Sequence, residues 1–172
     1  MINLPSHLNR ILITGGSGFI GGTLIRKLIK NSEIKLFNLD KLGYASNSEI
    51  HNRYCHLNRY KLFKVNLSNL EETKTAVKLA DPDIVFHLAA ESHVDKSITG
   101  PSTFLESNVI GTFNLLEALM PHWELIPSEK KTNFRLIHVS TDEVFGSLGR
   151  HGHFSEESPY SPNSPYSATK AA

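Results

Sequence analysis

Two pairs of residues have types and spacings that could transfer protons. In the stretch STDEVFG, two adjacent carboxylates, Asp142 and Glu143, directly follow the apolar run FRLIHVS. Near the end of the chain, Tyr166 and Lys170 stand four residues apart in YSATK. On a helix this spacing places both side chains on one face, where an ammonium can lower the pKa of a phenol. The two pairs therefore predict acid and base chemistry.

A glycine pattern predicts where a cofactor binds. TGGSGFIGG places Gly15, Gly18 and Gly21 three residues apart, after the apolar run RILIT and at the start of a helical pattern. Such glycines let the backbone approach a pyrophosphate at a helix N-terminus. Asp40 follows at the distance at which a carboxylate accepts bonds from the adenosine ribose. We therefore expect NAD rather than NADP, although the adjacent Lys41 could weaken this preference.

Strands and helices alternate along the chain, as in a parallel sheet covered by helices. Short apolar runs predict strands at 10–14, 34–39, 60–65, 83–89 and 134–140, the last as a buried strand, and helical periodicity predicts helices at 18–31, 69–80 and 101–119. The buried side of the third helix is expected to carry Phe104, Leu105, Val109, Phe113, Leu115 and Leu116. Segment 41–59 reads as a loop with one short helix. The pattern predicts an α/β fold of the doubly wound, Rossmann type.

Composition and charge exclude several classes of binding partner. The net charge is +1, with both signs interspersed, which argues against nucleic acid or an anionic membrane as partner. There is a single cysteine, and no apolar stretch is long enough for a membrane span. The N-terminus lacks a signal-peptide pattern, so we expect a cytoplasmic protein. None of the nine histidines completes a ligand set, so no metal site is predicted.

These motifs together resemble a known enzyme family. The glycine spacing, HLAAESHVDKSI and YSATKAA are similar to the extended short-chain dehydrogenases/reductases. STDEVFG and ESHVDKSITGP further resemble the nucleotide-sugar 4,6-dehydratases, over the range from Arg10 to Ala172. Adjacent carboxylates suit water elimination beside a new ketone, which a simple dehydrogenase does not need. The resemblance implies a lyase of deoxysugar biosynthesis that converts dTDP-glucose to the 4-keto-6-deoxy sugar.

The resemblance also implies a role for each reacting residue. Tyr166, beside Lys170, would take the proton of the sugar 4-hydroxyl while NAD takes hydride from carbon 4. Glu143 would remove the proton at carbon 5, and Asp142 would protonate the departing 6-hydroxyl. Hydride would return to carbon 6, and Thr141 would hydrogen-bond the sugar. Ser92 would contact substrate or nicotinamide.

Further residues are implied as contacts of the NAD cofactor. Phe19 and Ile20 would lie at the pyrophosphate turn, and the other positions are Asp40, Lys41, Leu42 and Gly43 around the adenosine, Asn66 and Leu67 at the adenine, Leu88, Ala89, Ala90, Glu91 and Ser92 on the nicotinamide side, and Ser107. Three positions depart from the family pattern. Asn66 stands where Asp is usual, Phe145 replaces Tyr, and Gly43 replaces Thr.

The chain length affects the expected activity. Family members continue for about as many residues again, so residues 1–172 would form an NAD-binding domain that ends just after the Tyr166-to-Lys170 motif, without the substrate domain. A helix that barely completes one turn would leave Tyr166 and Lys170 on a frayed end. We therefore expect no dehydratase turnover from these residues alone, and a homodimer for the full-length family.

Several alternatives remain open at this point. A UDP-glucose 4,6-dehydratase would share STDE, because the residues that contact the base are expected elsewhere. A nucleotide-sugar 4-epimerase or decarboxylase would keep Tyr166 and Lys170 but would have no use for the acid pair. A non-catalytic NAD-binding fragment would need neither pair.

Overall fold

A computed structural model describes residues 8–172. Among these residues, five short strands lie close to where apolar runs predict them: β1 (Arg10–Thr14), β2 (Lys35–Asp40), β3 (Tyr60–Lys64), β4 (Ile84–His87) and β5 (Arg135–His138). All neighbouring pairs are parallel, in the order β3-β2-β1-β4-β5. The chain thus runs outward from β1 on one side and from β4 on the other. The sheet order reverses between these two strands, which is where such folds bind ligands.

In the described part of the chain, eight α-helices connect and extend the strands. They are α1 (Phe19–Leu28), α2 (Glu49–Tyr54), α3 (Leu70–Ala80), α4 (Val94–Thr99), α5 (Pro101–Phe104), α6 (Gly111–Leu125), α7 (Ser128–Asn133) and α8 (Pro165–Ala171). A π-helical segment (Leu105–Ile110) joins α5 to α6, and a 3-10 turn (Asp142–Phe145) follows β5. Within residues 8–172, none of the helices has the length and apolar character needed to cross a bilayer.

Two separate apolar cores cover the two faces of the sheet. On one face, Ile11 and Ile13 of β1 pack with Ile25 of α1 and Ile50 of α2. On the other, the cluster includes Leu12 and Val85 from the sheet, Ala76 and Val77 from α3, and Leu115, Ala118 and Leu119 from α6. Alternate residues of β1 thus point into different cores, as the period of a strand requires. The α/β, doubly wound fold is confirmed.

The fifth strand differs from its prediction. β5 is mostly exposed, with 37% of Ile137 and 38% of the following Val139 accessible, so the expectation of a buried strand is wrong. The physical reason is position: β5 lies at the edge of the sheet, paired only with β4 among the described residues. An apolar run alone does not distinguish a central strand from an edge strand.

The long helical run also departs from its predicted face. Phe104 and Leu115 are buried as expected, but Leu105, Phe113 and Leu116 are 53%, 55% and 44% exposed. The π segment adds a residue per turn and rotates the later residues relative to regular 3.6-residue spacing. Small and polar residues, including Asn108 and Gly111, therefore face inward. The run continues past Pro121 to Leu125.

The last helix is docked rather than frayed, which contradicts the expectation for α8. Ser164 caps the helix: its hydroxyl accepts from the backbone N–H of Ser167, and Ser167 Oγ in turn accepts from the Ser164 N–H. Tyr166 and Ser167 are buried, and the Tyr166 ring meets Phe104 edge-on. Tertiary contacts stabilise this short helix, which its length alone would not.

Candidate active site

A cleft of about 670 Å³ opens at the carboxyl ends of the strands, beside the point where the sheet order reverses. The predicted contacts that line it are Gly15, Gly18, Asp40, Lys41, Gly43, Asn66, Leu67, Leu88, Ala89, Ala90, Glu91 and Ser107. These residues lie far apart in sequence, and the parallel sheet brings them together because the loops after β1, β2, β3 and β4 share one edge.

The glycine turn packs too closely for side chains. Gly15 has φ +69°, and a Cβ there would lie 2.7 Å from the backbone nitrogen of Ala89. A Cβ on Gly21 would lie 2.3 Å from the carbonyl oxygen of Gly15. Gly18 precedes α1, and its Cβ would meet only that same oxygen at 3.2 Å. Gly15 and Gly21 therefore have no space for a side chain in the turn beneath the cleft. At Gly18, the lack of a side chain leaves the approach to α1 open.

Asp40 is tied into the loops around it. Its carboxylate accepts from Ser17 N at 2.9 Å, from Leu42 N at 2.8 Å and from Ser46 Oγ at 2.8 Å. The loops on both sides of the cleft therefore depend on this acid. The residue fixes the glycine turn relative to segment 41–46, and it lines the cleft while only 6% exposed. A carboxylate can accept about four hydrogen bonds, so these three contacts leave room for a further donor.

Some cleft residues were missed, and some predicted contacts do not line the cleft. The additional lining residues are Leu39, Tyr44, Ala45, Ser46 and Val65, all at or after the carboxyl ends of β2 and β3. Applying the strand-end rule to every strand would have found them. Phe19, Ile20, Gly21, Leu42, Ser92, Tyr166 and Lys170 are not among the lining residues. Phe19 and Ile20 lie in the first turn of α1 with exposed side chains.

The acid pair lies on a capped turn. Asp142 and Glu143 begin the 3-10 turn after β5, and the backbone N–H of Glu143 donates to Thr141 Oγ1 at 3.3 Å. Val144 is buried beneath the turn and anchors it. Asp142 is exposed and Glu143 half-buried. The turn therefore presents both carboxylates at the end of the sheet where the cleft opens.

Tyr166 lies beside this turn. Burial raises the pKa of its phenol, the neighbouring Thr141 side chain lowers it, and the negative charges of Glu143 and Asp142 raise it. The predicted lowering of the Tyr166 pKa by Lys170 is therefore wrong for this structure, because the nearby charges are carboxylates. The structure nonetheless places Thr141, Asp142 and Glu143 next to Tyr166.

Lys170 points toward the end of β5. Its ammonium donates to the carbonyl oxygen of Val139 at 2.7 Å and lies 3.4 Å from Nε2 of His138. Burial lowers the pKa of this lysine. Lys170 thus lies on the same short helix as Tyr166, but its hydrogen bonds go to the strand.

Asn108, which the sequence analysis missed, holds the parts of the site together. Its side chain accepts from the Glu91 backbone N–H at 2.8 Å and donates to the Glu91 carbonyl at 3.0 Å. It also donates to Thr169 Oγ1 on α8 at 3.0 Å. The residue sits in the π segment, a geometry often found at functional sites. No periodic pattern in the sequence marks such a segment.

His87 is a buried neutral histidine at the end of β4. Burial lowers its pKa to about 3, with smaller contributions from His138 and Lys170. The Thr112 hydroxyl donates its hydrogen to the Asn108 carbonyl. The hydroxyl oxygen of Thr112 therefore accepts from Nε2–H of His87. Nδ1 then accepts from Thr14 Oγ1 at 2.6 Å.

The sequence of this chain is similar to those of known enzymes. The chain is 44% identical over 172 residues to the dTDP-glucose 4,6-dehydratase of Salmonella typhimurium, covering 95% of this chain and 48% of that protein. It is 48% identical over 164 residues to a probable dTDP-glucose 4,6-dehydratase of Sinorhizobium fredii, covering 95% and 46%. The chain therefore spans about half the length of these relatives.

Solved structures share the fold. A dTDP-glucose 4,6-dehydratase of Streptomyces venezuelae, solved with NAD bound, superposes with a TM-score of 0.81 at 36% identity, over 94% of this chain and 48% of that one. A UDP-Glc/GlcNAc 4-epimerase of Campylobacter jejuni superposes with a TM-score of 0.79 at 26% identity, over 94% and 46%.

A family model provides the assignment. The model described as GDP-mannose 4,6 dehydratase matches residues 12–172, which include the glycine turn, the cleft loops, the acid pair and the tyrosine and lysine of α8. Because this match covers nearly the whole chain, the chain belongs to the GDP-mannose 4,6 dehydratase family.

Proposed function

We propose that this chain is the NAD-binding half of a dTDP-glucose 4,6-dehydratase, a lyase that forms the 4-keto-6-deoxy sugar. The observation that carries the proposal is the acid pair Asp142 and Glu143 on a capped turn beside Tyr166. A dinucleotide cleft alone would suit many oxidoreductases. Two carboxylates beside the phenol add the acid and the base that elimination of water requires.

The cleft fits NAD. The glycine turn leaves no side chain over the start of α1, where backbone N–H groups without intrahelical partners favour a pyrophosphate. Asp40 lies at the end of β2 for the adenosine ribose, and Asn66 and Leu67 lie after β3 for the adenine. Leu88, Ala89, Ala90 and Ser107 would hold the nicotinamide half. NAD, when bound, would accept hydride from carbon 4 of the sugar and supply it to carbon 6.

The residues around the acid pair would move the protons. Tyr166 would take the proton of the 4-hydroxyl, which raises the electron density needed for oxidation at carbon 4. Glu143 would remove the proton at carbon 5 once the 4-ketone makes it acidic. Asp142 would donate a proton to the leaving 6-hydroxyl, and Thr141 would orient the sugar.

Lys170 would act at Tyr166 only after a change in its hydrogen bonds. In the structure its ammonium donates to Val139 rather than to the phenol. Carboxylates beside Tyr166 raise the pKa of the phenol, so a cation that approached it would favour the phenolate. A ligand in the cleft that turned Lys170 toward Tyr166 would therefore activate the base.

The second candidate is a nucleotide-sugar 4-epimerase, which the similarity to the Campylobacter jejuni enzyme supports. Epimerisation needs the tyrosine and lysine pair but no elimination step. The carboxylates of Asp142 and Glu143 favour the dehydratase, whose substrate we take as dTDP-glucose from the names of the relatives.

A second copy of the chain is the proposed partner of α6. Phe113, Leu116 and Met120 are each more than 40% exposed, and their spacing places them on one side of this helix. An exposed apolar face of this kind commonly marks a protein interface. Together with the expectation of a homodimer for the family, it supports self-association.

A chimera tests the proposed function. Residues 1–172 of this chain would replace the matching half of the Salmonella typhimurium relative, which supplies the remainder of an enzyme. The chimera is expected to convert dTDP-glucose to a 4-keto-6-deoxy product, detected by its alkaline absorbance. Loss of all activity in a chimera that folds and binds NAD would refute the proposal for these residues.

A further inference from the structure

Lys41 is held across the mouth of the cleft by a buried acid. Its ammonium lies 2.6 Å from Glu91 Oε1 and 2.9 Å from Ser107 Oγ. Glu91 is only 8% exposed, and Asn108 fixes its backbone at both the N–H and the carbonyl. The Lys41 side chain passes over Gly43, where its Cε would be 3.4 Å from an added Cβ. The lysine therefore reaches from the loop after β2 to the loop after β4.

The charges that line the cleft leave no free cation. In the part of the chain that the structure describes, Lys41 is the only cationic side chain among the lining residues, and Asp40 and Glu91 are the carboxylates. One ammonium against two carboxylates gives a net charge of −1. Lys96 lies 3.5 Å above the ring of Tyr44 and is not among the lining residues.

This charge balance bears on the choice between NAD and NADP. NADP carries a phosphate on the 2′-oxygen of the ribose that Asp40 is placed to bind, and an arginine or lysine nearby usually neutralises it. Lys41 directly follows Asp40, so its ammonium is the natural partner for that phosphate. Glu91 occupies this ammonium with a charge-assisted hydrogen bond.

We propose that Glu91 is a specificity-determining residue, which excludes NADP by holding Lys41 away from the 2′-position. The inference rests on the proposed binding of NAD and extends it to the choice between the two cofactors. Asp40 supplies repulsion of the 2′-phosphate, and Glu91 removes the one cation that could offset this repulsion. Repulsion of the wrong ligand and removal of a contact that would favour it both add to discrimination.

Calorimetry on the 172-residue chain with NAD and with NADP tests the inference. Glu91→Gln removes the charge that holds Lys41 and keeps a similar side-chain size. The ratio of the NADP dissociation constant to the NAD dissociation constant is expected to fall about five- to tenfold relative to the parent chain, because a freed ammonium can then pair with the 2′-phosphate. A fall of less than about twofold, with NAD still bound, would overturn the role of Glu91.

Two further variants identify the cause. In Glu91→Gln combined with Lys41→Met, the gain for NADP should disappear, because no ammonium is left to bind the phosphate. If the gain persisted, Glu91 would act by direct repulsion and the proposed sequestration of Lys41 would be wrong. Glu91→Asp shortens the carboxylate by one methylene and should shift the ratio in the same direction by less, which provides a test if the glutamine variant does not fold.

Glu106→Gln is the matched control. Glu106 lies on the same π segment as Ser107, accepts from Ser68 Oγ at 2.8 Å and does not line the cleft. In this control variant, the ratio of the NADP and NAD dissociation constants should equal that of the parent chain. A shift as large as that of Glu91→Gln would overturn the specific role of Glu91. A parent chain that bound neither dinucleotide would refute the proposed NAD site, and the inference with it.

Discussion

At the scale of single residues, the site places a phenol next to carboxylates that disfavour its ionised form. Tyr166 is buried beside two carboxylates that raise the pKa of its phenol, while Lys170 donates to a strand carbonyl. The proposed reaction needs the phenolate only while the sugar is oxidised, and it needs the carboxylates afterward. In the proposed reaction, Tyr166 therefore acts in the first step, and Asp142 and Glu143 act in the second.

This division predicts different defects in the chimera. Asp142→Asn and Glu143→Gln should each slow formation of the 4-keto-6-deoxy product by about 10²–10⁴-fold, because each removes a proton-transfer group. Nicotinamide reduction during a single turnover should persist in both variants. Tyr166→Phe should abolish that reduction as well. Equal loss of nicotinamide reduction in all three variants would contradict the assignment.

His87 predicts a dependence of stability on pH. Its pKa is about 3 in the folded chain, against about 6.5 for an unperturbed histidine, so between these values the unfolded state binds the additional proton. The free energy of unfolding should therefore fall as the pH drops below about 6.5, by up to about 1.4 kcal/mol per pH unit from this residue. Above about pH 6.5 this loss of stability is absent, because the histidine is neutral in both the folded and the unfolded state.

Urea unfolding at several pH values measures this effect. His87→Gln should be less stable than the parent at neutral pH, since it disturbs the bonds to Thr14 and Thr112. Its stability should nonetheless decline less steeply between about pH 6.5 and pH 5. Parallel curves for the two proteins would show that His87 does not carry the proton linkage.

At the scale of elements, the regular parts followed from the sequence and the irregular parts did not. β1 has its predicted bounds because RILIT is a short apolar run between a polar segment and glycines. The edge position of β5, the π segment and the docking of α8 depend on tertiary contacts that no local pattern encodes. Asn108 was missed for this reason, although it joins the Glu91 loop to α8.

The glycine turn gives a prediction for cofactor binding. Gly18→Val should weaken NAD binding by at least about tenfold, because its side chain would lie where the pyrophosphate approaches α1. The turn itself should tolerate the change, since the added Cβ meets only one backbone oxygen, at 3.2 Å. Calorimetry with NAD measures the effect.

Gly149→Val is the matched control for the glycine turn. An added Cβ at Gly149 meets no atom within 4 Å, so this variant should bind NAD like the parent. Parent-like affinity in Gly18→Val would contradict the placement of the pyrophosphate at this turn.

At the scale of the whole molecule, the sheet brings distant segments into one site, and an apolar face remains on α6. Leu116→Glu should shift the chain from dimer to monomer in size-exclusion chromatography with light scattering, because it places a charge in the proposed interface. Lys78→Glu is the control, because it also introduces an acid at an exposed helical position, on α3 rather than on α6. A parent chain that is monomeric at high concentration would contradict the proposed self-association.

The most direct test of the dehydratase assignment follows the hydrogen at carbon 5. The chimera would be incubated with NAD and dTDP-glucose in heavy water, and its product analysed by mass spectrometry and NMR. If Glu143 removes the carbon-5 proton and exchanges it with solvent before carbon 5 is reprotonated, the product is a 4-keto-6-deoxy sugar with deuterium at carbon 5. An unlabelled sugar that differs from the substrate only in configuration at carbon 4 would instead identify an epimerase and contradict the central claim.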